Sequence, residues 1–99
     1  MSVLLLTFQL TRPEERYDEF FEALHTAANG REITLFGGCV LLPSTMSPIG
    51  LRRRLIEHLH PLDFLFICTV EREACAGKLS QRAKDWLKAE LFWSGREEE

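Results

Sequence analysis

The sequence lacks a basic excess, a paired cysteine motif, a glycine-rich phosphate loop and a long apolar run. Twelve Lys and Arg stand against 15 Asp and Glu, a formal charge of −3. That balance argues against nucleic-acid binding by bulk charge and leaves room for a local basic patch. Cys39, Cys68 and Cys75 form no CxxC pair, and an odd set of separated thiols fits a reducing compartment. The apolar run at residues 3–10 has no basic segment ahead of it and suits a buried strand better than a secretory leader. No stretch reaches the roughly 18 apolar residues of a membrane span. A cytoplasmic protein with no membrane partner is the default expectation. Internal repeats, linkers and low-complexity segments are also missing, so 99 residues at 45% apolar and 27% charged read as one globular domain.

What is present is patterned. Residues 3–10 are apolar on both alternating faces, the mark of a central strand. Thr11 and Glu14 form a capping-box pattern with Pro13 in the first turn. The helix that follows places Tyr17, Phe20, Phe21, Leu24 and Ala28 on one stripe, and Asn29-Gly30 ends it. Residues 32–36 and 39–42 read as a hairpin through Gly37-Gly38, closed by Pro43. Ser47-Pro48 opens a second helix running to about Leu59, with Leu51, Leu55, Ile56 and Leu59 inward. Residues 63–71 form a fourth strand. Ser80 caps a third helix with Ala83, Trp86, Leu87, Glu90 and Leu91 along one side, and residues 94–99 are a polar acidic tail.

This order predicts an α+β fold over residues 1–93: a ferredoxin-like βαββαβ sandwich with a four-stranded antiparallel sheet, order 4-1-3-2, and an extra C-terminal helix. Cys39 and Cys68 would lie about 9–10 Å apart across the first strand, beyond disulfide reach. Two helices cover only one face of such a sheet. Val3, Leu5, Leu65 and Ile67 therefore need a further cover, from the third helix or from a second subunit, and a homodimer using these four residues is expected.

Candidate chemistry is sparse. His58 and His60 are two apart, a spacing at which helical side chains do not converge on a metal, and His25 has no partner in sequence. No metal site and no cofactor are expected. Cys75, flanked by Arg72 and Lys78, is the one thiol with basic neighbours. Arg52-Arg53-Arg54 is the strongest polar feature. Three successive helical positions sweep about 200°, so they cannot all be buried. They read either as a solvated face, with Arg53 paired to Glu57, or as a patch that grips phosphates through bidentate guanidinium contacts. Arg12 and Arg16 are the next candidates. An RNA-binding sheet would need exposed aromatics flanked by basic residues on central strands, and the first and third strands carry neither Lys nor Arg.

Several motifs together carry a resemblance. Phe8-Gln9-Leu10 ends the first strand, and Tyr17, Phe21 and Leu24 follow on the first helix. Ser47-Pro48-Ile49, Leu55 and Leu59 mark the second helix. Pro61-Leu62-Asp63 precedes Phe64-Leu65-Phe66-Ile67, and Asp85-Trp86-Leu87 lies on the third helix. Over residues 2–91 the chain resembles the small proteins related to CRISPR-associated protein 2 and virulence-associated protein D. The resemblance implies a ferredoxin-like homodimer, with metal-dependent nuclease activity or a structural role in holding DNA. It also implies a metal-binding aspartate at the end of the first strand, where this chain has Gln9. A neutral amide neither anchors Mg²⁺ strongly nor acts as a base. The expectation is thus a noncatalytic binding or scaffolding protein with a nucleic-acid or protein partner. The alternatives are a divalent-metal-dependent nuclease of the same family and a small metabolite-binding regulatory domain.

Overall fold

The computed structural model describes residues 2–72 and 74–93, so the acidic tail expected at residues 94–99 lies outside the described residues. In chain order the elements are β1 (Ser2–Gln9), a 3-10 turn (Pro13–Glu15), α1 (Asp18–Ala27), β2 (Ile33–Phe36), β3 (Cys39–Ser44), α2 (Pro48–Ile56), β4 (Phe64–Val70) and α3 (Gln81–Leu91). The four strands form one sheet in the order β2-β3-β1-β4 with every neighbour antiparallel. Among the described residues no helix is long and apolar enough to cross a membrane.

The sheet has a core on each face. On the inner face Leu4, Leu6, Val40 and Leu42 pack under α1 and α2 through Phe20, Leu24, Leu51 and Leu55. Each such side chain contributes about 1.5–3 kcal/mol on full burial. On the outer face α3 and the chain just after it lay Ala83, Leu87 and Trp93 over Val3, Ile33 and Leu41. The serine caps anchor two of these helices as their chemistry demands. Ser47 Oγ accepts from Gly50 N at 3.0 Å, and Ser80 Oγ accepts from Ala83 N at 3.2 Å.

Several expectations need correction. Val3, Leu5, Leu65 and Ile67 do not share a face. Leu5 stands opposite Cys68 and Leu6 opposite Ile67, and directly paired residues point the same way. Leu65 and Ile67 therefore join the inner core, while Val3 and Leu5 lie under α3. All four are occupied within the chain, Val3 to 2% exposure. Thr11 and Glu14 do not cap α1. A 3-10 turn intervenes, Arg16 and Tyr17 adopt left-handed conformations (φ 64° and 52°), and the helix begins at Asp18. Pro43 does not end β3, which continues to Ser44. β2 stops opposite Leu41, so Pro43 meets no strand on that side and its missing N–H breaks no ladder bond. Ile56 is half exposed instead of buried, because α2 ends there.

The hairpin needs glycine at one point. Gly38 has φ 75°, its carbonyl accepts from Phe8 N at 2.9 Å, and a Cβ there would sit 2.6 Å from Phe8 O. None of the three cysteines forms a disulfide, with Cys39 opposite Thr7 and Cys68 opposite Leu5 on the two sides of β1.

Candidate functional site

Gln9 closes β1 on the exposed rim of the sheet, opposite Phe64. Asp63 directly precedes Phe64 and β4, and its carboxylate is engaged. Its Oδ1 accepts from Thr11 N (2.8 Å), Thr11 Oγ1 (2.6 Å) and Tyr17 OH (3.1 Å), and its Oδ2 accepts from His60 N (2.9 Å). Tyr17 OH in turn accepts from Arg12 N at 3.0 Å. Partial burial opposes ionisation of Asp63, but the bonds from Thr11, His60 and Tyr17 more than offset it and hold the carboxyl well below the usual range. Burial, followed by the bond to Asp63, pushes the Tyr17 phenol above its usual value.

This cluster is a knot. It ties the β1–α1 connection to the start of β4 and fixes Tyr17, whose ring is buried in the inner core. It also accounts for the strained pair Arg16-Tyr17. Two consecutive non-glycine residues in the left-handed region cost about 1–3 kcal/mol each and persist only where their surroundings hold them. His60 completes the surround, with its ring edge-on to Tyr17 at 5.9 Å and its Nε2 bonded to Glu15. A carboxylate with four donors has little capacity left for a metal or a substrate proton.

Arginines behave differently from one another. Arg12 pairs with Glu15, Arg16 with Asp18 and Arg31 with Glu90. Arg52, Arg53 and Arg54 are exposed on α2, and no ion pair joins them to a carboxylate among the described residues. The expected Arg53–Glu57 pair is not among the ion pairs formed. Arg52 borders a cavity of about 350 Å³ with Ile56, His60, Asp63 and Phe64. Arg54 borders a second hollow of about 320 Å³ with Glu19, Glu22 and His58. The arginine run is thus the free cationic surface of α2. Arg12 and Arg16 sit at the knot, where Arg12 N donates to Tyr17 OH, and are not part of that α2 surface.

The histidines do not converge. His25 contacts Glu32, His58 lies near Glu19 and Glu57, and His60 contacts Glu15. Among the described residues no three His, Cys, Asp or Glu side chains gather as a ligand set. Cys75 is half buried and lies 3.8 Å from Arg72 O, while burial pushes the Cys39 thiol up, away from reactivity.

One surface was not anticipated from the sequence. α3 covers only the Val3–Val70 end of the outer face. At the other end Phe64 and Phe66 are about two-thirds exposed, beside Gln9 and Thr7. The signal was available in β1: its outer positions turn from Val3 and Leu5 to Thr7 and Gln9, which marks where cover stops. Comparison with protein-family models, with characterised proteins and with solved structures gives no match for this chain.

Proposed function

We propose that the protein is a noncatalytic, homodimeric, ferredoxin-like binding module of the CRISPR-associated protein 2-like kind, which holds a nucleic-acid backbone through Arg52, Arg53 and Arg54. The strand order β2-β3-β1-β4, read from the opposite edge, is 4-1-3-2, with α1 and α2 on one face, and this supports the ferredoxin-like reading. One observation carries the binding role. The three α2 guanidinium groups are consecutive and have no carboxylate partner among the described residues, whereas Arg12, Arg16 and Arg31 each have one, and Lys78, Arg82 and Lys88, also outside any ion pair, stand singly. A run outside any ion pair on a chain of net charge −3 is a local device for anions, and guanidinium groups order phosphates by bidentate contact. Gln9 at the rim and Asp63 with four donors argue for binding without cleavage.

Filter binding of a mixed-sequence DNA duplex across a salt series tests this. Each phosphate neutralised steepens the dependence by about 0.9 log unit per log unit of salt. Replacing Arg52, Arg53 and Arg54 by Ala should flatten the slope by up to about 2.7, leaving the fold intact because exposed helix positions accept Ala readily. Unchanged slope in the triple variant, or no wild-type binding at about 150 mM salt, defeats the proposal.

A further inference from the structure

The two edges of the sheet are unlike. β2 is four residues long, carries a register shift between Thr34 and Phe36, and follows Arg31 and Glu32. Shortness, a bulge and charge are the devices by which an edge avoids pairing with another chain. β4 has none of them. Phe64–Val70 is seven residues in unbroken register with β1, and it contains no charged residue, no proline and no glycine. Among the described residues no segment pairs with its free side. Apolar side chains border that free side from both faces. Ile49 on α2 is 63% exposed and Ile56 is 42% exposed, while Phe64 and Phe66 lie on the outer face. Leu62, in the turn before β4, is exposed as well.

We infer that β4 is the edge on which a second copy of this chain pairs, antiparallel, to make one continuous eight-stranded sheet. The inference rests on the dimeric part of the reading above and specifies its surface. A two-fold axis normal to the sheet keeps the helices of both copies on the same face. Centred on Ile67, the middle of the strand, it sets Phe66 of each copy opposite Cys68 of the other and Phe64 opposite Val70. No charge meets a like charge along the seven residues. Ile49 and Ile56 of the two α2 helices then border the seam, with Arg52 between them on the same helical stripe. Ile49, Ile56, Leu62, Phe64 and Phe66 expose about 600 Å² per copy, at about 200 Å² for each whole side chain. That is more than half of the roughly 800 Å² per partner in a stable interface, before the backbone of the edge is counted. The same axis brings the Arg52–Arg54 runs of both copies onto one face, doubling the cationic surface offered to a phosphate backbone.

Sedimentation equilibrium at tens of micromolar tests the edge. The wild type should weigh twice the 11.5 kDa of the chain. Phe66→Lys and Ile49→Lys, both at exposed sites, should each return a folded monomer by circular dichroism. Phe36→Lys, equally exposed but on the β2 edge, should leave the dimer intact. A monomeric wild type overturns the inference, as does a dimer that survives both Phe66→Lys and Ile49→Lys or is lost only with Phe36→Lys. None of these outcomes touches the arginine reading, which the salt slope decides separately.

Discussion

Asp63 shows how much one side chain can organise without being chemically active. Its carboxylate collects donors from Thr11, Tyr17 and His60, so two loops and the start of a strand share one anchor. The folded pKa lies below that of an unfolded aspartate, about 3.9, so the unfolded chain takes up the proton first as pH falls. The stabilisation from Asp63 is accordingly complete above about pH 4 and is lost progressively below it. Asp63→Asn should lower the melting temperature at pH 7 and shrink the acid-side loss of stability between about pH 4 and pH 2. Thermal melts of both proteins across that range check this, and parallel pH profiles would show that the carboxylate is not the titrating anchor. The knot was only partly legible in the sequence. Thr11 followed by Glu14 satisfies a local capping rule, but the partner that takes Thr11 is 52 residues away, and no local pattern encodes that distance.

At the scale of elements, the sequence spoke clearly where the chemistry is local. Ser47 and Ser80 cap their helices because a side-chain oxygen one position before a helix meets an orphan N–H. The stripe Phe20, Leu24, Ala28 is buried because 3.6-residue spacing brings those side chains to one side. Strand β4 was harder. Phe64–Val70 is apolar at almost every position, so nothing in its own alternation says which face is which. Only the register with β1 decides, and an offset of one residue exchanges the faces. The role of α3 follows from that register. It covers Val3, Ile33 and Leu41 through Ala83 and Leu87, and Trp86 Nε1 donates to Arg31 O at 2.8 Å. Leu87 also borders an apolar cavity of about 170 Å³ with Leu5, Leu41, Val70 and Trp93. Leu87→Ala should enlarge that cavity and cost about 3 kcal/mol, read from urea unfolding. A loss under about 1 kcal/mol would mean that α3 adds little to the outer core.

For the molecule as a whole, the knot and the arginine run of α2 meet at one cavity, which Arg52, His60 and Asp63 all border. The knot closes the Gln9 end of the sheet, while the unpaired arginines line α2 beside the free edge of β4. Purified protein should leave single- and double-stranded nucleic acid intact with Mg²⁺ or Mn²⁺. Metal-dependent cleavage that disappears when an acidic residue of this chain is replaced would show a catalytic carboxylate outside the knot. The two-layer reading of the sheet was legible from the doubly apolar β1. The half-open outer face left only the turn of β1's outer positions from Val3 and Leu5 to Thr7 and Gln9 as its trace, because helix length sets how far α3 reaches.

The central place of β1 also has a consequence for how the chain is made. It is synthesised before the other three strands of its sheet, and both of its neighbours lie downstream, β3 at residues 39–44 and β4 at residues 64–70. Closing those distances costs loop entropy before any pairing can compensate for it. Until β4 emerges, a growing chain carries β1 with one side open, and until α3 follows, Val3 and Leu5 have no cover. The strand at the centre of the sheet therefore waits longest for shelter. A nascent chain that stalls before Phe64 would present β1, not β4, as its sticky edge.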